Sequence, residues 1–193
     1  MTASMTVAPM TGPKVAIPYF SGSGAITRTA RLIAEAARGE GAAADLVDVT
    51  RMTPETWDIL HAADAIAFGT PTYMGGPAAG FKAFMDDTGD TIWLDRLWAD
   101  KLAAGFTAGV NTGGDKLSTL QALSVFAMQH GMVWIGQEVI GAPVFRENEG
   151  LNLSGTFLGL AVNANTSGLT EGCEASARIF GERIARAALR WQV

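Results

Sequence analysis

Apolar and polar residues follow two rhythms along this chain, and the chain switches between them repeatedly. "KVAIPYF" (Lys14 to Phe20) is a short apolar run that predicts a buried strand, despite Pro18. Ile26, Ala30, Ile33, Ala34 and Ala37 then recur at helical spacing, with Arg28, Arg31, Glu35 and Arg38 on the opposite face and Gly39 and Gly41 as stops. "ADLVDV" (Ala44 to Val49) predicts a second strand, "WDILHAAD" a short helix, and "AIAFGT" (Ala65 to Thr70) a third strand ending in "PTYMGG". A helix is expected from about Pro77 to Asp87, a fourth strand in "KLAAGFTAGV", a helix over 116–130 and a fifth strand in "MVWIG". No element is assigned between Gln137 and Leu160, a stretch rich in Gly and Asn. In the last helix Ala177, Phe180, Ile184, Ala187, Ala188 and Trp191 form one face, with Arg178, Arg183, Arg186 and Arg190 off it. Strands alternating with helices predict an α/β fold whose parallel sheet is covered on both sides.

Composition narrows this to one compact domain. The 193 residues are 48% hydrophobic and 17% charged, which suits a large core over 14–193 behind a flexible leader, residues 1–13. A net charge of −5 without a basic stripe argues against nucleic acid and anionic membrane surfaces as partners. The single Cys173 excludes an internal disulfide, and two distant histidines, His61 and His130, make a metal site unexpected. No apolar run approaches the ~20 residues of a membrane span. The leader lacks the basic start and apolar centre of a signal peptide, so a cytoplasmic location is expected.

Candidate chemistry sits in three strand-to-helix loops, 21–27, 70–76 and 108–115, all rich in Gly, Ser, Thr or Asn. Loops at the carboxyl ends of parallel strands are where open α/β sheets bind ligands. "SGSG" before a helix leaves backbone N–H groups free at the positive end of the helix dipole, a setting for a phosphate; an ordinary capped turn is the plain alternative. It is neither a P-loop, since no Lys follows the glycines, nor a GxGxxG fingerprint, since residue 27 is Thr. "TPTYMGG" offers Pro71 and Gly75 to shape a loop against a flat ring and Tyr73 and Met74 to pack on it. "NTGGD" offers amides to a ring edge that carries carbonyls. A phosphate at one end and a flat heterocycle at the other describe a mononucleotide such as FMN.

Three longer stretches, "YFSGSGAITRTARLIAEAA", "FGTPTYMGGPAAGFKAFMDDTGDTIW" and "KLAAGFTAGVNTGGDKLSTLQALSVFAMQHGMVWIG", carry a family resemblance. From about Lys14 to Gly136, and again in the last helix, the chain resembles the flavodoxin-like NAD(P)H:quinone oxidoreductases related to the tryptophan-repressor-binding protein. The resemblance implies a three-layer sandwich with a five-stranded parallel sheet of order 2-1-3-4-5. It implies FMN as cofactor, NAD(P)H as electron donor, a quinone-like acceptor, and a homodimer or homotetramer. Carried over by position, Ser21, Gly22, Ser23, Gly24, Ala25, Ile26 and Thr27 hold the phosphate. Pro71, Thr72, Tyr73, Met74 and Gly75 meet the isoalloxazine, and Asn111, Thr112, Gly113 and Gly114 its pyrimidine edge. Trp93 and His130 line the pocket over the exposed ring face, where nicotinamide and quinone alternate, and are the catalytic candidates. Ala25 and Ile26 stand where the family usually has Asn or His followed by Thr, which removes one hydroxyl from the loop.

Two other functions compete with a two-electron reductase. A flavodoxin-type one-electron carrier is expected to be far more acidic around its flavin than these loops are. A flavin-free interaction module on the same fold would explain Ile26. Among other residues, Asp86 and Asp87 point about 100° apart on a helix and read as solvated surface. Asp115 and Lys116 read as surface residues at a helix start, and Cys173 as structural.

Overall fold

The computed structural model describes residues 12–142, 144–165 and 168–192. Most of the expected leader, residues 1–13, therefore lies outside the described residues. The elements run β1 (Lys14–Tyr19), α1 (Ala25–Gly39), β2 (Ala43–Asp48), α2 (Pro54–Ala62), β3 (Ala65–Tyr73), β4 (Gly76–Pro77), α3 (Ala79–Asp87) and α4 (Thr91–Leu94). They continue with β5 (Leu102–Gly109), α5 (Lys116–Gln129), β6 (Val133–Ile135), β7 (Leu160–Asn165), β8 (Gly168–Leu169) and α6 (Glu171–Trp191).

All strands belong to one sheet of order β2-β1-β3-β5-β7-β8, with β4 added to β3 and β6 to β5. The pairings among β2, β1, β3, β5, β6 and β7 are parallel; β4 on β3 and β8 on β7 are antiparallel. Pro18 is tolerated in a central strand because the β1–β3 ladder skips it. Its partners are Val15 with Ala65, Ala16 with Ile66 and Tyr19 with Gly69, and a proline has no N–H to give between them.

The expectation of a clean five-stranded sheet of order 2-1-3-4-5 is corrected at its fifth position, which two segments share. β6 covers only Leu102 to Ala104 of β5, and β7 covers Phe106 to Gly109. Between them the chain leaves the sheet at Gly136 and returns at Gly159. Both glycines are dictated by close backbone approach. A Cβ on Gly136 would fall 2.4 Å from the Phe157 carbonyl oxygen, and one on Gly159 2.4 Å from that of Gly105. The excursion lies across the stretch left unassigned in the sequence.

Alternation along the strands sorts the core into two layers. Val15, Ile17, Phe106 and Val162 face α1 and α6, where they meet Ile26, Leu32, Ile33, Phe180 and Ile184. Ala16, Ile66, Phe68 and Ala103 face the other way, onto Leu60, Phe81, Phe84, Trp98, Leu123 and Phe126. Helices on both faces leave the carboxyl ends of β1, β3 and β5 as the open edge. Among the described residues, no helix is long and apolar enough to cross a membrane.

Candidate functional site: a cleft at the carboxyl edge of the sheet

The loop after β1 is organised by one hydroxyl. Ser21 Oγ accepts from the N–H of Gly24 at 3.1 Å and of Thr27 at 3.3 Å. Gly24, at φ 93°, turns the chain into α1 through a left-handed conformation that a side chain would strain. The N–H groups of Ser23, Ala25 and Ile26 find no acceptor among the described residues. They stand at the positive end of a 15-residue helix. The Ile26 side chain is fully enclosed in the core under this loop. The residue at position 26 therefore contributes its backbone to the loop and its side chain to packing.

The loop after β3 is a hairpin. Thr72 pairs with Pro77 and Tyr73 with Gly76, so Met74 and Gly75 form the two-residue turn. Both take left-handed values, φ 49° and 81°, as the twist of such a hairpin demands. Ser118 of α5 donates its hydroxyl to the Gly75 carbonyl and ties the hairpin down. Thr72 Oγ1 lies 2.9 Å from Thr107 Oγ1 and 2.8 Å from Thr119 Oγ1, a hydroxyl cluster joining β3, β5 and α5. Buried Thr70 accepts from the Ala78 N–H at 3.1 Å, which sets where α3 begins.

Ser21, Gly22, Ser23, Ala25, Ile26, Pro71, Thr72 and Tyr73 come together around a cavity of about 160 Å³. Ala108, Gly109, Val110 and Ala164 complete its wall. The first three lie in the candidate loop 108–115 but were given no individual role, and Ala164 was not foreseen. Val110 is an apolar residue immediately before "NTGG", which is a usable signal, whereas Ala164 sits near the end of β7, a strand that follows the unassigned stretch. Tyr73 closes part of the cavity: a Cβ on Gly22 would lie 2.2 Å from its phenol oxygen. Met74 and Gly75 project at the hairpin tip, and Asn111, Thr112, Gly113 and Gly114 form an exposed loop beyond Val110.

Lys116 departs from its expected surface position. Asp115 is exposed, but Lys116, the first residue of α5, is fully enclosed. Its Nζ donates to the Val162 carbonyl at 3.2 Å and to Asn163 Oδ1. Asn163 in turn donates from Nδ2 to Thr112 Oγ1 at 3.3 Å, and Ser154 Oγ donates to the Thr112 carbonyl at 3.0 Å. Burial pushes the Lys116 ammonium down to a pKa of about 8, against a smaller opposing effect of Cys173.

His130 and Trp93 stand elsewhere. They border a second cavity of about 680 Å³ between α3 and α5. Its walls share no residue with the first. His130 is buried, its Nε2 is 2.9 Å from Thr88 Oγ1, and its ring packs 4.9 Å from those of Trp98 and Phe126. Its Nδ1 has no partner among the described residues, and burial holds its pKa below the ordinary value. Trp93 is half-exposed and donates its indole N–H to the Gln129 carbonyl at 3.1 Å. Within one chain, the structure does not bring these two residues to the loops.

Sheet order, paired helical layers and a small-residue cleft at the strand carboxyl ends define a flavodoxin-like fold. Residues 17–145 match the family described as NADPH-dependent FMN reductase, and the chain belongs to that family. It is 33% identical to flavodoxin FldP of Pseudomonas aeruginosa over 181 residues, covering 90% of this chain and 95% of that protein. It is 30% identical to an NAD(P)H dehydrogenase (quinone) of Geotalea uraniireducens over 205 residues, covering 92% and 98%. Among solved structures, a flavodoxin, WrbA-like protein from Agrobacterium tumefaciens superposes with a TM-score of 0.74 at 33% identity, covering 93% of this chain and 99% of the other. The protein is an NAD(P)H-dependent flavin oxidoreductase with FMN as its cofactor.

Proposed function

We propose that FMN binds in the carboxyl-edge cleft and that the protein passes two electrons from NAD(P)H to a quinone-like acceptor. The observation that carries this reading is the set of N–H groups of Ser23, Ala25 and Ile26 at the start of α1, unpaired among the described residues, beside the hydroxyls of Ser21 and Ser23. Donors without acceptors on the positive end of a helix favour a phosphate dianion. In this reading residues 21–27 hold the phosphate, Pro71 to Gly75 meet the isoalloxazine, and Asn111 to Gly114 face its pyrimidine edge. Tyr73 swings off Gly22 to admit the ring. Bound FMN supplies the acceptance and release of hydride, while the chain binds, orients and sets the field.

His130 and Trp93 belong to the same reading only if a second copy brings their cavity to the cleft, so the active form is a homodimer or homotetramer. The exposed apolar surface at Trp93, Leu94 and Val125 supports that assembly. A cytoplasmic setting fits the one free, buried cysteine, Cys173. Titration of the purified apoprotein with FMN, followed by quenching of flavin fluorescence, is expected to saturate at micromolar concentration or below. No binding up to millimolar FMN overturns the reading.

A one-electron carrier is favoured by one observation, the name of the Pseudomonas aeruginosa relative. Against it, Asp115 is the only acidic residue in the three loops. Photoreduction that converts oxidised flavin directly to the fully reduced form supports the reductase; accumulation of a long-wavelength intermediate supports the carrier.

A further inference from the structure

Lys116 is in a place that costs a cation twice. It is fully enclosed, and it begins a helix, where the dipole is positive. No carboxylate among the described residues pairs with it: both of its hydrogen bonds go to neutral acceptors, the Val162 carbonyl and Asn163 Oδ1. A buried charge without a counter-charge is destabilising, and an apolar side chain of similar length would fill the space at lower cost. The hydrogen bonds run from this ammonium through Asn163 to Thr112, the loop assigned above to the pyrimidine edge of the flavin.

We infer that Lys116 is a positioning residue for the redox state of the flavin. Through Asn163 and Thr112, its charge favours an added negative charge on a ring held against that loop. The inference rests on the FMN reading of the cleft. The groups facing Lys116 are the Cys173 thiol from α6, the Val162 carbonyl and Asn163 amide from β7, and Gly109 of β5, where an added Cβ would come within 3.3 Å of the lysine side chain. The carbonyl and the amide that accept its hydrogen bonds are neutral, so reduction of the flavin brings a negative charge to the far end of this chain of hydrogen bonds.

A potential moves only if the two redox forms are bound with different affinity. A side chain that merely ties α5 to β7 strengthens both forms equally and leaves the potential where it was. The test is therefore a redox titration of the FMN-loaded protein beside its Lys116→Met variant, with the dissociation constant of oxidised FMN measured for both. The variant is expected to bind reduced FMN about tenfold more weakly relative to oxidised FMN, which moves the two-electron midpoint about 30 mV more negative. An unchanged midpoint overturns the inference, even if the variant is less stable or binds both forms less well. If the wild-type chain binds no FMN, the cleft reading falls first and takes this inference with it.

If Lys116→Met does not fold, the wild-type protein alone decides. Burial brings the Lys116 pKa to about 8, and a tenfold coupling raises that by about one unit when the flavin is reduced, so between about pH 8 and 9 reduction takes up about half a further proton per two electrons. The plot of midpoint against pH is expected to steepen there relative to free FMN. A plot parallel to that of free FMN overturns the inference.

Discussion

The two cavities of this molecule are built from opposite materials. The carboxyl-edge cleft is shaped largely by backbone: the turns at Gly24 and Met74–Gly75 beside it and N–H groups without acceptors among the described residues, with Pro71, Tyr73 and Val110 as its larger side chains. The cavity between α3 and α5 is made of side chains, with His130 held by Thr88, Trp98 and Phe126. A backbone site is specified by residues adjacent in sequence. A side-chain site is specified by packing among residues from several elements. The first therefore tolerates changes in the core, while the second depends on them.

The sharpest way to break this contrast is Trp98→Ala. Trp98 is fully buried and packs against Phe68, Phe84, Phe126 and His130. Its truncation is expected to cost about 3–5 kcal/mol of stability, measured by urea unfolding. The folded fraction should still bind FMN within about threefold of wild type, a change below 1 kcal/mol. A much larger loss of FMN affinity would show that the two regions are coupled.

Gly24→Ala attacks the other side. A Cβ there meets nothing within 4 Å, so the effect is backbone strain alone. At φ 93° that strain is about 1–2 kcal/mol, and FMN affinity is expected to fall about tenfold as the N–H groups turn away. Fluorescence titration checks it, and unchanged affinity would mean the phosphate is held elsewhere.

A smaller effect comes from His130. Burial lowers its pKa below 6.5, so the unfolded chain binds a proton more readily than the folded one. Its contribution is fully present above pH 6.5 and is lost as pH falls from there through the folded value. His61, also lowered chiefly by burial, adds in the same direction. The melting temperature of His130→Asn should fall less than that of wild type between pH 7 and 5; parallel curves would refute this. The smallest effect is expected from Asp86→Asn. It removes an exposed ion pair with Lys82 on the rim of the second cavity and should change stability by less than about 0.5 kcal/mol.

Legibility followed the same division. Apart from the short β4 and α4, which were not expected, the strands and helices up to Ile135 lie close to where periodicity and turn residues put them, because those signals need only near neighbours. The turns at 21–27 and 70–76 were visible for the same reason. Ile26 looked like a missing hydroxyl, but its side chain faces the core, a direction that depends on where α1 docks. Within the candidate loop 108–115, roles were given to Asn111 to Gly114, while Ala108, Gly109 and Val110 in front of them wall the cleft.

The sequence by itself determined an α/β chain with three glycine- and hydroxyl-rich loops after its first, third and fourth predicted strands, because strand period, helix period and turn chemistry are local properties. Only the tertiary structure decided that β6 and β7 share one edge of β5, since that choice depends on how much of β5 the shorter segment leaves uncovered. It alone separated His130 and Trp93 from the cleft. And it alone buried Lys116, whose acceptors lie 46 and 47 residues further along the chain, a distance over which no sequence pattern reports what a side chain will meet.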